Sequence, residues 1–370
     1  MKLRTKIACG LGLTIALICC REPEVEPQQD TFDREALLTN YADNIIIPRY
    51  ANFKNEVNGL NEASIAFSAD PSESNLAAIK IAWKASVLTW QRCAMFEFGP
   101  ASDVLLQSSM NVYPVDTQQV EENVMSGNYD FTSVENLAAK GLPTLDYLLY
   151  KEAPGLTVGA FTIGDNAQPR LEYLTDIIAL IQSHIDEVAL AWENGYRDEF
   201  IASTGTSVGS SLGLLLNAIN QSFEANTRMQ KLGLPSGAAT FSMTPIPDHV
   251  EAYFEGQSNV SFLQSSVVAF EDLYLGNTES GQTGVGLGDY LTSLQATHNN
   301  SLLHGVIQSQ FDDVVSAVDL LNDPLAEFVV SDQQTAIDAY GEMQQLVVLW
   351  KVDMMSALGV LITYQDNDGD

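Results

Sequence analysis

The chain has 370 residues, 46% of them hydrophobic, and sets 17 Lys and Arg against 48 Asp and Glu, a formal charge of −31. That acidity excludes a nucleic-acid binder and favours cations, basic partners or simple solubility. Length and apolar content are ample for a buried core, and as a prior they give two domains.

The first twenty residues, MKLRTKIACGLGLTIALICC, join a basic start (Lys2, Arg4, Lys6) to an apolar run from Ile7 to Ile18 that is too short for a mature spanning helix. This reads as a secretory signal over residues 1–19. Its end, Leu17-Ile18-Cys19-Cys20, looks like a lipoprotein cleavage box, which makes Cys20 the lipidated N-terminus and a membrane anchor. Residues 20–31 are then the lipidated cysteine and a Pro-rich polar tether, and the acids behind Cys20 fit an outer-membrane address, on the periplasmic or the surface face. Cys9 and Cys19 leave with the signal, so Cys93 is the only free thiol and no intramolecular disulfide is expected.

Beyond the tether nearly everything reads as helix. Asp70-Pro71-Ser72-Glu73 predicts a start with Asp70 as cap and Pro71 in first position. Ile79, Trp83, Val87, Trp90 and Ala94 then recur at helical spacing. Asp116-Thr117-Gln118-Gln119 and Thr132-Ser133-Val134-Glu135 are two further capping patterns. Gln168-Pro169 opens a long helix with Leu171, Leu174, Ile178, Ile181, Ile185, Val188 and Trp192 on one stripe. More helices are expected near 206–230, 258–275, 301–321 and 332–361. Strand signals are sparse. The expected architecture is all-α: two packed helical-bundle domains, 32–200 and 201–370, with a cleft between them. The recurrence of Gly-Leu-Pro at 141–143 and 233–235 hints at a diverged duplication.

The stretch GLPTLDYLLY, residues 141–150, sets two helix breakers and one acid inside an apolar run. Gly141 suits a left-handed helix end, Pro143 the first turn of a new helix, and Asp146 a place facing that helix's free N–H groups. A kinked helix with its own acid cap is one reading; a site is the other.

Four segments carry a resemblance. They are Trp90-Gln91-Arg92 with Phe96-Glu97-Phe98-Gly99-Pro100; Asn111-Val112-Tyr113-Pro114-Val115-Asp116; Gly141 to Asp146; and the end of the chain from Leu346, with Lys351 and Asp353. In order and spacing they resemble the imelysin-like family, named after a bacterial insulin-cleaving membrane peptidase. The family signature, G-x-H-x-x-E, is proposed as a metal or catalytic element. Here Gly141 is kept, Pro143 stands at the His and Asp146 at the Glu. Proline has no ligand atom and no titratable group, so the departure speaks against catalysis and removes zinc's preferred nitrogen ligand. The resemblance implies a cleft lined by Arg92, Glu97, Asp103, Asp116, Gly141, Pro143 and Asp146. For Arg92 an ion pair, and for Asp116 a helix cap, are equally complete readings.

Other candidates are weaker. His184 and Glu187 share a helix face, but a dinuclear site needs such pairs from two helices, and His184 reads as packing. His249, His298 and His304 show no ligand spacing. Asp366, Asp368 and Asp370 resemble the start of a calcium loop without its later Glu. Gly205, Gly209 and Gly213 suggest close helix packing, and Gly281 to Gly288 a mobile loop at the cleft. The leading function is a non-catalytic envelope lipoprotein that binds a ligand in the context of iron or other metal acquisition, with a metal-transport protein as partner. Asp146 and the tail aspartates would favour a hard cation, iron or calcium. A divergent metallopeptidase and a structural or adhesive surface module are the alternatives.

Overall fold

The stripe Ile79, Trp83, Val87 and Trp90 is buried, each residue 2% exposed or less, along one face of a helix running Glu73–Cys93. In this computed structural model, which describes residues 30–364, the same 3.6-residue logic accounts for most of the chain. The expected signal, the Cys20 anchor, most of the tether and the aspartates at 366, 368 and 370 lie outside the described residues.

The first half contains α1 (Arg34–Asn40), α2 (Ile47–Ala69), α3 (Glu73–Cys93), the short α4 (Pro100–Asp103) and α5 (Leu106–Met110), α6 (Thr117–Ser126), α7 (Gly141–Tyr150), α8 (Thr157–Ala160), α9 (Ala167–Ala191) and α10 (Arg197–Ala202). The second holds α11 (Ser211–Gln221), α12 (Leu234–Ser236), α13 (Asn259–Leu275), α14 (Leu287–Ser293), α15 (Leu303–Val318), α16 (Leu325–Ser331), α17 (Gln333–Val348) and α18 (Met355–Ala357). A two-residue hairpin, Thr297–His298 with Ser301–Leu302, is the only β-ladder among the described residues. Helix α2 packs on α3 and α9, with α7 against both α3 and α9; in the second half α17 packs on α15 and on a π-helical segment, Ser222–Gly233. Helix α13 packs on α3, so the two sequence halves share one core, and the described residues from Phe32 form one compact unit. Cys93 is buried and free. Among the described residues no helix is long and apolar enough to cross a membrane.

Several local expectations change. Ser72, not Asp70, caps α3 by accepting the Asn75 N–H, and Pro71 lies outside the helix; the Asn75 amide meanwhile donates to the Asp70 carbonyl at 2.8 Å and closes the end of α2. Thr132-Ser133 starts only a 3₁₀ turn, Val134–Asn136, because Asp130 already takes the Thr132 N–H and hydroxyl. Gly205 and Gly209 are in a loop; only Gly213 is helical, and it is pressed against the Ser207 carbonyl rather than against another helix. The 276–286 loop is pinned: the Asn40 amide donates to the Gly276 and Val285 carbonyls at 3.0 Å each, and the loop does not line the cavity described below. The two Gly-Leu-Pro tripeptides differ in backbone, with φ +78° at Gly141 and −64° at Gly233.

Candidate functional site

A Cβ on Gly141 would lie 2.4 Å from the Met110 carbonyl oxygen, and its φ of +78° suits glycine alone, so α7 begins hard against the end of α5. The Trp83 indole donates to the Leu142 carbonyl at 3.0 Å, and the Thr144 hydroxyl to the Lys140 carbonyl at 3.0 Å. Pro143 sits in the first turn, where its missing N–H costs nothing. This fixes the rotation of the helix, and with it the direction of Asp146 one turn on.

That direction departs from the cap reading. Gly141 opens α7 instead of ending an earlier helix. Asp146 does not cap its own helix: Oδ2 accepts the backbone N–H of Phe254 at 2.9 Å and Oδ1 that of Glu255 at 2.9 Å. The carboxylate is 1% exposed and reaches into a bend of the second half. Burial pushes its pKa up to about 7; the two N–H groups pull it down in part, and the charges of Glu255 and Glu251 push it up again.

The bend has its own support. Ala252 and Gly256 both take positive φ, +54° and +69°. The Asn259 amide donates to the carbonyls of Glu251 at 2.7 Å and Ala252 at 3.1 Å. The Glu251 carboxylate is buried and accepts from Asn111 at 2.7 Å, from Gln91 at 3.1 Å and from Lys231 of the π-helical segment. Lys231 is itself buried, and burial lowers its pKa. On the outside, Lys84 pairs with Glu255 at 2.7 Å.

Between these parts lies a cavity of about 230 Å³, lined by Tyr113, Pro114, Val115, Thr117, Pro143 and Asp146 from the first half and by Asp248, Val250, Ala252, Tyr253 and Phe254 from the second. The Tyr113 hydroxyl is buried and has no hydrogen-bond partner among the described residues. Burial, and then the Glu251 charge, hold its pKa well above the usual phenol value.

The other expected cleft residues fall elsewhere. Arg92 binds Glu279 at 2.8 Å and Asp272 at 2.9 Å, in a cluster where buried Arg49 also reaches Glu279, at 2.7 Å. It is thus the ion pair, not a cavity residue. Glu97 accepts the Gln107 N–H at 3.0 Å, and burial raises its pKa to about 7. It borders a different depression of about 310 Å³, beside Thr363 and Tyr364. Asp103 is exposed at the end of α4, and Asp116 caps α6 through the Gln119 N–H at 3.0 Å. His184 is half-buried, with its ring against the Leu180 carbonyl at 2.9 Å. Among the described residues no group of three or more His, Cys, Asp and Glu could hold a metal ion, so Asp146 is not joined by the further donors that its reading as a metal ligand needs.

The whole second-half wall, Asp248 to Phe254, was missed in the sequence, as were Glu251 and Lys231. No period marks that stretch, and its role depends on contacts more than a hundred residues away. The faint signal was Tyr253-Phe254, an aromatic pair in a region with no helical stripe.

The family model described as Imelysin matches residues 46–349. Iron-regulated protein A of Synechococcus elongatus is 28% identical over 89 residues, a stretch covering 23% of this chain and 25% of that relative, so the match spans a quarter of its length. A crystal structure from Parabacteroides distasonis, described as that of an iron-regulated protein A precursor, superposes with a TM-score of 0.72 at 18% identity, covering 88% of this chain and 95% of its own. The crystal structure of an imelysin-like protein from Psychrobacter arcticum 273-4 gives a TM-score of 0.67 at 16% identity, covering 90% of this chain and 97% of its own. At such identities the two structures speak for the all-α fold alone.

Proposed function

We propose a function from one premise: this chain belongs to the imelysin family. The reading is a lipid-anchored envelope protein that captures a small ligand without chemical change, in the setting of iron or other metal acquisition, and passes it to a metal-transport partner. The iron setting rests on the names of the relatives. The anchor rests on Cys20 and its cleavage box, and the outer membrane on the acids that follow.

One observation carries the capture reading. Asp146 lines the cavity while each of its oxygens is already held by a backbone N–H, and Pro143 supplies no imidazole beside it. A carboxylate so fixed shapes and charges a pocket; it is poorly placed to coordinate a bare cation together with other acids. Within this reading the acidic tail, Asp366, Asp368 and Asp370, is a separate proposed place for calcium or ferric iron.

The test is the melting temperature of residues 21–370, stripped of metal, against calcium, zinc, ferrous and ferric iron in turn. A ligand that binds only the folded state adds about 2.7 kcal/mol at a hundredfold excess over its Kd. A selective rise lost on deleting 366–370 supports a tail site. A rise lost instead with Asp146→Ala means that a bare ion binds in the cavity, against the reading above. For the anchor, Cys20→Ser in the full chain should move the protein from the membrane to the soluble fraction; unchanged partitioning would refute it.

The divergent-peptidase reading keeps one observation in its favour. A carboxyl with a pKa near 7 in a cavity is suited to proton transfer. Peptide hydrolysis by the purified chain that disappears in Asp146→Asn would replace capture with catalysis.

A further inference from the structure

Residues 232–350 contain fifteen Asp and Glu and not one Lys or Arg. The first sixteen of them, Leu232 to Pro247, carry no charge of either sign. In the fold this uncharged stretch passes through α12 and then turns back on itself between Gly237 and Thr244. Phe241, near the tip of that loop, is 108% exposed, and Met243 is 49% exposed. A lone exposed apolar side chain is ordinary and needs no explanation. Three features set this pair apart. The loop is held rigidly: the Gln333 amide, in the first turn of α17, donates to the carbonyls of Ser236 and Met243 at 2.8 Å each, and the Ile246 N–H donates to the Pro235 carbonyl at 2.8 Å. The Thr240 hydroxyl adds a bond to the Gly237 carbonyl at 2.9 Å. The exposure is thus built in and not left by a slack chain, and a surface so fixed loses little freedom on binding. Met243 also takes a φ of +53°, a strained conformation for a residue with a Cβ, which persists where the surrounding contacts impose it. The third feature is composition. Interface centres are enriched in aromatic residues and Met and depleted of acids. The acids resume at the edges: Asp248 follows the loop and Asp332 directly precedes Gln333, both exposed.

We propose that the 237–244 loop is a docking epitope for a protein partner that offers Phe241 and Met243 an apolar pocket inside a rim of Lys and Arg. Charge decides between the occupants. A second copy would set one base-free stretch against another, and an anionic bilayer repels it in the same way. A basic rim is attracted to the surrounding acids and aligned by them, while the uncharged loop enters the pocket without burying an unpaired charge. The loop does not line the cavity, so the proposal stands apart from what the cavity captures.

The test is photo-cross-linking by the full-length chain in cells of its own source. A benzophenone analogue of phenylalanine is placed at position 241 or, as a control, at Ile163, which is 77% exposed in the first half. Both sites are exposed, so neither label should change the melting temperature. Position 241 should give a cross-link to one other protein that position 163 does not give, through a peptide in which apolar residues adjoin Lys or Arg. Mixed as two purified proteins, the pair should then bind at least about tenfold more weakly with Phe241→Ser, and more weakly also on going from about 50 mM to about 500 mM salt. A cross-link from 241 to lipid or to a second copy of this chain, a contact peptide without bases, or an affinity unchanged in Phe241→Ser would each overturn the proposal. So would no cross-link at 241 above that at 163.

Discussion

Asp146 and Phe254 stand 108 residues apart in sequence, and the carboxylate of one accepts the backbone N–H of the other at 2.9 Å. With the neighbouring bond to Glu255, this joins α7 to the bend that forms the far wall of the cavity. The motif acid is thus a structural tie and a cavity wall at once.

Removing that tie should be costly. Asp146→Ala strands two backbone N–H groups, and a loss of about 2–4 kcal/mol is expected from the usual penalty for such groups. Asp146→Asn keeps one acceptor and should lose less. Urea denaturation of both variants measures this; wild-type stability in Asp146→Ala would mean that the bend is held by other contacts.

The same residue sets a pH dependence with a defined sign. Its folded-state pKa, about 7, lies above the unfolded value, so the folded state binds the extra proton between about pH 4 and pH 7. Stability should therefore fall as pH rises through that window, by at most about 1.4 kcal/mol per pH unit, and level off above it. The stability of wild type minus that of Asp146→Asn isolates the effect from Glu97, which shifts in the same direction. A flat difference from pH 4 to pH 7 would refute it.

Glu121 should act in the opposite sense. Burial raises its pKa, but hydrogen bonds from Arg170, Lys151 and Tyr147 outweigh burial and hold it at about 2. Its contribution is present above the unfolded value and is lost as pH falls towards 2. Glu121→Gln should be less stable than wild type at neutral pH and equal to it near pH 2. The carboxylate is partly exposed, so the difference should also shrink in high salt.

Gly141 tests the close approach of α7 and α5. Gly141→Ala adds both a strained φ and a Cβ driven onto the Met110 carbonyl, whereas Gly127→Ala adds the strained φ with nothing within 4 Å. About 1 kcal/mol is expected at Gly127, and at least 3 kcal/mol, or failure to fold, at Gly141. Equal losses at the two sites would mean that the contact is not tight.

Lys231 and Glu251 form a buried pair beneath the cavity. Glu251→Gln leaves a buried ammonium without its counter-charge, and a loss of about 3–5 kcal/mol is expected. The double variant Lys231→Met, Glu251→Leu should recover part of it, because no charge is then left buried. A double variant worse than the single would show that Gln91 and Asn111 depend on the Glu251 carboxylate more than Lys231 does.

The sequence by itself determined the all-α class, the long helices and the buried faces of α3 and α9. The stripes on α3 and α9, the cap at Asp116 and the positive φ of Gly141 each depend on neighbours within a few residues, and a period or a steric rule reports them directly. What a buried face packs against, and where a polar side chain finds its partner, is not periodic information. Arg92 meets Glu279 across 187 positions, Asp146 meets Phe254, and Glu251 meets Asn111 across 140. Only the tertiary packing of the two halves, which includes α13 on α3, brings these groups together. It made Arg92 an ion pair, turned Asp146 from an expected cap into a link between the halves, and built the second wall of the cavity from residues 248–254, which carry no period and only the aromatic pair Tyr253-Phe254 as a local signal.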